Sequence, residues 1–160
     1  MSTPTPTVPI ARHAGEGQAL WFLGSLVTIK ASGEDTGGRM AVIEHLSPRG
    51  SGSPLHVHRN EDEIWYALAG SFRIKLDGEV RDAQPGTFAF IPRGVTHTWQ
   101  SVGDEPGRLL VILAPAGLDR FFQRFAEATG YTSAEEAFRG LGSEAGMDVV
   151  GPPLARSDPL

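Results

Sequence analysis

The chain has 160 residues, no cysteine, and a formal net charge of −5 from 14 basic and 19 acidic side chains. That length suits a single domain with tails, and the missing cysteines exclude disulfide staples, thiolate metal sites and a cysteine nucleophile. The basic residues are scattered rather than striped, which excludes the electrostatic footprint of a nucleic-acid-binding surface.

No stretch approaches the roughly 18 apolar residues of a membrane span. The start, Met1 to Pro9, alternates Pro with Thr and lacks the basic and apolar regions of a signal peptide. Residues 1–14 therefore read as an irregular leader, and the expected location is cytoplasmic. Leu20 to Lys30 is an apolar, β-branched run, and Arg39 to Leu46 is a second. Ser47 to Pro54 is rich in Pro, Gly and Ser and reads as a loop. Short strand candidates then follow closely: Leu55–His58, Glu63–Leu68, Ser71–Leu76, Glu79–Arg81, Thr87–Ile91, Thr96–Val102 and Arg108–Leu113. Turn signals separate them, and Asp77-Gly78 is the strongest, because a type I′ hairpin needs φ > 0 at both central positions.

After Pro115 the period changes. Leu118, Phe121, Phe122 and Phe125 recur at helical spacing, which predicts a helix over 117–129. Ser133 followed by Glu136 predicts a capping box opening a helix near 133–140. Those Phe side chains read as core or dimer packing, and the tail from Gly142 onward reads as mostly irregular. The expected organisation is an all-β domain over 15–115, followed by an α-helical C-terminal appendage and tail over 116–160.

Candidate chemistry begins at His56-Val57-His58. Alternate residues of a strand share a face, so both imidazoles point one way and form a two-armed clamp for a metal; the bland alternative is a surface pair. Glu61, Asp62 and Glu63 are consecutive, so proximity does not choose a carboxylate partner, and a solvated acidic turn would look the same. His97 enters a strand after the tight Pro92-Arg93-Gly94 turn, which aims that strand back over its predecessor.

Read together, the spacings carry more. Gly50, five residues, His56-x-His58, four residues, Glu63, six residues and Gly70 form one pattern. Gly86, five residues, Pro92-x-Gly94, two residues and His97 form another. In this the chain resembles the cupin superfamily, departing only where Ser101 stands in place of the Asn that usually ends the second motif. Asp35-Thr36-Gly37-Gly38-Arg39, Asn60-Glu61-Asp62-Glu63, Val102-Gly103-Asp104-Glu105-Pro106 and Ala114-Pro115-Ala116-Gly117-Leu118 are similar to the small cupins called quercetin dioxygenase-like.

The resemblance implies a jelly-roll barrel enclosing one divalent metal, with His56, His58, Glu63 and His97 in the ligand places. Three imidazoles and a carboxylate suit Fe, Mn, Ni, Co or Zn and do not choose among them. It also implies an enzyme, a dioxygenase acting on a flavonol-like or other hydroxy-ketone aromatic molecule. Glu63, bound to the metal or free of it, would be the catalytic base. A non-oxidative polyketide cyclase or isomerase, and a non-catalytic small-molecule or metal-binding barrel, are the alternatives. Trp65 and Trp99 share strand faces with Glu63 and His97 and are candidates for a substrate-binding wall. His45 joins them if its parity turns it inward. The expected partners are a small-molecule substrate and a second copy in a homodimer, with no nucleic acid and no membrane; barrel edges and the amphipathic appendage are the surfaces expected to pair.

Overall fold

The structure is a computed structural model that describes residues 7–160; the first six residues of the expected leader lie outside the described residues. In chain order the elements are β1 (Gln18–Phe22), β2 (Ser25–Ala31), α1 (Gly33–Thr36), β3 (Ala41–Ser47), β4 (Leu55–His58), β5 (Asp62–Ala69), β6 (Phe72–Leu76), β7 (Glu79–Ala83), β8 (Phe88–Ile91), β9 (His97–Ser101), β10 (Gly107–Ala114), α2 (Leu118–Ala126), α3 (Ala134–Ala145), β11 (Met147–Gly151) and α4 (Leu154–Ser157). A six-stranded sheet runs β1-β2-β3-β10-β5-β8, and a five-stranded sheet runs β11-β4-β9-β6-β7. All the pairings are antiparallel. The two sheets make the jelly-roll, with the helical appendage at one end.

Alternation explains the strands. In β2, Ser25, Val27 and Ile29 are buried while Leu26, Thr28 and Lys30 are partly exposed; β10 alternates in the same way. The inward rows meet in one core that includes Ile43, Trp65, Phe72, Ile74 and Val111. Each such side chain contributes about 1.5–3 kcal/mol by leaving water.

Two turns set the register. Asp77 (φ 48°) and Gly78 (φ 84°) join β6 to β7 as expected. The run Leu20 to Lys30 is not one segment: Leu23 (φ 48°) and Gly24 (φ 79°) fold it into the β1–β2 hairpin, with Phe22 opposite Ser25. Leu is a poor residue for a left-handed position, so this turn carries no obvious signal. Gly70 of the first motif lies at φ 75°, and a Cβ there would come within 2.7 Å of the Gly107 Cα. Only glycine lets β10 begin so close to that corner.

The tail is more ordered than its composition suggests. β11 pairs with β4, placing Met147 opposite His58 and Val149 opposite His56. α4 lies against β9, and Asp158 accepts hydrogen bonds from Arg73 on its carbonyl (2.6 Å) and from Lys75 on its carboxylate (2.8 Å). α4 thereby covers β9, every residue of which is buried.

Helices α2 and α3 close the barrel mouth. Ser133 caps α3 by accepting from the Glu136 amide at 3.1 Å, but the Glu136 carboxylate turns to Thr132 rather than back to Ser133, so half of the expected box forms. Asp119 anchors α2 by accepting from the Gly33 and Gly117 amides at 2.9 and 3.1 Å. Phe121, Phe122 and Phe138 are buried around Phe22, whose ring centroid lies 4.8 Å from that of Phe122 and 5.9 Å from that of Phe138. The appendage spends its apolar face as a plug.

Candidate metal centre

Strand alternation turns His56 and His58 of β4 to the barrel interior, and β5 and β9 bring Glu63 and His97 against them. Offered ligand atoms of these four residues all lie within 4.8 Å of one another, and all four side chains are buried. The acidic run is sorted by alternation. Asp62 faces outward and accepts from Arg93, Glu63 faces inward, and Glu61 is buried just before β5.

The local chemistry orients the donors. His56 Nδ1 lies 2.7 Å from the Pro54 carbonyl oxygen, and His97 Nδ1 lies 2.8 Å from that of Val95. A carbonyl only accepts, so each Nδ1 carries the hydrogen and each Nε2 keeps its lone pair for the interior. The Trp65 indole N–H donates to Glu63 Oε1 at 2.7 Å, which leaves Oε2 as the free oxygen. Glu63 Oε2 stands 2.8 Å from His97 Nε2 and 3.6 Å from His58 Nε2. Both nitrogens, together with that oxygen, lack a well-aligned hydrogen bond despite full burial. Orphaned buried donors and acceptors of this kind are costly, and a divalent cation would satisfy them at once. The donor set fits such an ion.

Charge is arranged accordingly. Burial pushes the Glu63 carboxyl up, but His58, His97 and His56 outweigh it and hold the group ionised. Burial also works against a charged His97, and there the Glu63 carboxylate wins and raises the pKa. Burial dominates at His56 and lowers it well below the ordinary value. His58 falls to about 4 for the same leading reason.

A cavity of about 30 Å³ adjoins the cluster, enough for roughly one water molecule. His45 and Trp99 line it with His56, His58 and Glu63, and the remaining wall is apolar apart from Ser53. Trp65 does not line it; its ring stands edge-on to His97 and its N–H fixes Glu63. Reasoning from sequence missed the aromatic wall of Phe22, Phe121, Phe122 and Phe138; Glu61, one of the three carboxylates weighed there, is not among the lining residues, and burial raises its pKa to about 7.

His45 is buried with Nδ1 unpartnered, and its ring stands edge-on to Trp99 and Phe122. Burial lowers its pKa from 6.5 to about 4, partly offset by Glu63. The folded pKa lies below the unfolded one, so stability is full near pH 7 and is lost as pH falls from about 6.5 toward 4. At pH 4.5 this one ring is expected to cost about 2–3 kcal/mol. Urea unfolding at pH 7 and pH 4.5 should show that loss shrinking by this amount in His45→Gln. Equal losses in both proteins would mean that the ring is not held neutral.

The Cupin domain family matches residues 42–113. The chain is 31% identical over 99 residues to Quercetin 2,3-dioxygenase of Bacillus subtilis, covering 62% of this chain and 29% of that protein. It is 32% identical over 60 residues to Polyketide synthase CurC of Streptomyces cyaneus, covering 38% of this chain and 39% of that one. The chain thus spans less than a third of the Bacillus protein. Among solved structures, that of a predicted oxalate decarboxylase of Thermotoga maritima superposes with a TM-score of 0.60 at 20% identity, covering 67% of this chain and 99% of that one. This last likeness is one of fold.

Proposed function

The chain belongs to the cupin superfamily, and from that premise we propose that it is a metal-dependent dioxygenase acting on a neutral hydroxy-ketone aromatic molecule of flavonol type. The observation that carries this reading is the composition of the cavity. A buried three-imidazole, one-carboxylate cluster opens on a wall of aromatic and aliphatic side chains, and no Lys or Arg is among the lining residues. A small dianion or a sugar phosphate would find no cationic side chain to bind it there, whereas a flat apolar molecule would find edges and faces of rings.

His56, His58, His97 and Glu63 would hold the ion, which would supply Lewis acidity and, if redox-active, reactivity toward dioxygen. The chain's own contributions are positional. Trp65 holds Glu63 by Oε1, so Oε2 is the oxygen that would hold the ion or, released from it, take a hydroxyl proton from a bound substrate. His45, kept neutral by burial, offers an unpartnered ring nitrogen from the same cavity wall. The Phe22, Phe121, Phe122 and Phe138 cluster excludes water.

The test is oxygen uptake with a flavonol, run on separately loaded Fe, Mn, Ni and Co protein. Uptake in at least one form, abolished in Glu63→Ala, is the expected result; none in any form sinks the oxidative reading. The likeness to the polyketide protein favours a second reading, in which the ion only polarises a carbonyl for cyclisation or isomerisation. Turnover by zinc-loaded protein under nitrogen would establish that alternative.

A further inference from the structure

We propose that Met147 is a sulfoxidation site, and that the oxygen it gains takes the hydrogen bond that the buried His58 ring lacks. A ligand histidine that turns Nε2 to an ion must carry its hydrogen on Nδ1. His56 and His97 place that hydrogen on the Pro54 and Val95 carbonyls. His58 turns Nε2 toward Glu63 in the same way, yet its Nδ1 is buried with no partner among the described residues, in a side chain only 4% exposed. An outer acceptor of this kind fixes the tautomer of a ligand histidine and raises its basicity, so the quartet has one bond fewer than its chemistry asks for.

The side chain across the ladder from His58 is Met147. The Arg59 amide donates to the Gly146 carbonyl at 2.8 Å. By antiparallel alternation the His58–Met147 pair is therefore of the non-hydrogen-bonded kind, in which facing side chains stand closest. Met147 is buried and lines the same cavity as His58 and Glu63. Its far end reaches α3, where a Cβ on Gly142 would come within 3.2 Å of Met147 Cε. The thioether is thus held between a metal donor and a helix of the plug. Among the described residues it is the one buried sulfur, since the chain has no cysteine and Met40 is exposed.

A thioether sulfur accepts hydrogen bonds weakly, whereas its sulfoxide is polar. The oxidant is hydrogen peroxide, a small neutral molecule that passes the local openings of a mouth closed to a flavonol. A sulfur lone pair attacks one peroxide oxygen, and the S–O bond forms as the O–O bond breaks. The departing hydroxide takes the remaining proton and leaves as water. Sulfur loses two electrons and peroxide gains them. The new oxygen then accepts from His58 Nδ1–H, so neither group lies unpaired in the apolar wall. Oxidation of a core methionine ordinarily disrupts its surroundings; here it should tighten metal binding, whichever reaction the site performs.

The test treats chelated wild-type protein with hydrogen peroxide, removes the peroxide, and maps sulfoxide by peptide mass spectrometry. Cobalt(II) is then titrated into treated and untreated protein and followed by its absorption. One added oxygen on the peptide carrying Met147 is expected, with cobalt affinity about 10-fold higher and a new downfield imidazole N–H proton signal. Met147→Leu, treated alike, should keep its affinity, which separates Met147 from Met40. Met147→Gln, whose amide oxygen can accept the same bond, should reproduce the gain without peroxide. Full oxidation of Met40 with Met147 untouched would overturn the inference. So would an oxidised Met147 with cobalt affinity unchanged or lower, or a peroxide effect of equal size in Met147→Leu. These outcomes need only wild-type protein and the leucine variant, so they decide the matter even where Met147→Gln does not fold. Cobalt bound by none of the forms would overturn it together with the metal centre.

Discussion

Protein purified without added metal is expected to hold close to one divalent ion per chain, and His56→Ala with His58→Ala to hold none. The clamp needs both rings. They leave one strand on one side, their centroids 5.1 Å apart, and they meet Glu63 and His97 across the barrel. Removing both leaves one imidazole and one carboxylate, too few donors to retain an ion through purification. The ion is also part of the stability: bound at about 1,000 times its dissociation constant it contributes about 4 kcal/mol. A chelator should therefore lower the melting midpoint of wild-type protein and leave that of the variant unmoved. Near-stoichiometric Fe, Mn, Ni or Co would support the oxygen chemistry, and zinc would favour the non-oxidative reading. No metal even after reconstitution would mean that the quartet is a structural polar cluster, and the barrel would then be a binding module.

Phe138→Ala is expected to cost about 3–5 kcal/mol and to create a ligand site where wild-type protein has almost none. Phe138 is 1% exposed, and its ring lies 5.7 Å from that of His56 and 5.5 Å from that of Phe121. It therefore plugs the cavity directly over a metal donor. The cavity holds about 30 Å³, whereas a benzene-sized guest occupies a cavity of about 150 Å³. A flavonol is larger still, so it can enter only if α2 and α3 move aside. Thermal melts with and without a small aromatic such as catechol measure this. The variant should be stabilised by the ligand and wild-type protein much less. Equal stabilisation of both would mean that the helices already open far enough to admit it. Either way, truncating Phe138 should lower KM for a bulky substrate more than it changes kcat, because the residue touches the entrance and not the reacting atoms.

Legibility in the sequence followed the range of the forces involved. The β4 histidines, the Asp77-Gly78 hairpin and the alternation in β10 were readable because each rests on nearest neighbours along the chain. The quartet needed two motifs combined, and it was the spacing resemblance, not local chemistry, that singled out Glu63 from Glu61 and Asp62. The Leu23-Gly24 turn was hidden because a left-handed leucine is tolerated only where Phe22 and Ser25 are both held inward by the core. The hydrogen bond from Trp65 to Glu63 was hidden for a different reason. Shared parity placed the two side chains on one face, but parity does not say which of them meets the cavity and which braces its neighbour. Phe121, Phe122 and Phe138 were legible as an amphipathic stripe, whereas the surface that receives the stripe, formed around Phe22 a hundred residues earlier, was not.

The position of β4 between β11 and β9 bears on how the protein comes into being. β4 meets β9 through the single pair His56–His97, while its ladder with β11 is longer. During synthesis, β5 to β10 can pair among themselves while β4 waits with one flank open, because the strand that completes it, β11, emerges only after α2 and α3. Loop closure over that span is slow relative to the neighbouring hairpins. The histidine clamp is thus expected to be the last part of the barrel to be locked. A nascent or truncated chain lacking residues 147–151 would present β4 as an unpaired edge, open to chaperones and to the edge strands of other unfinished chains.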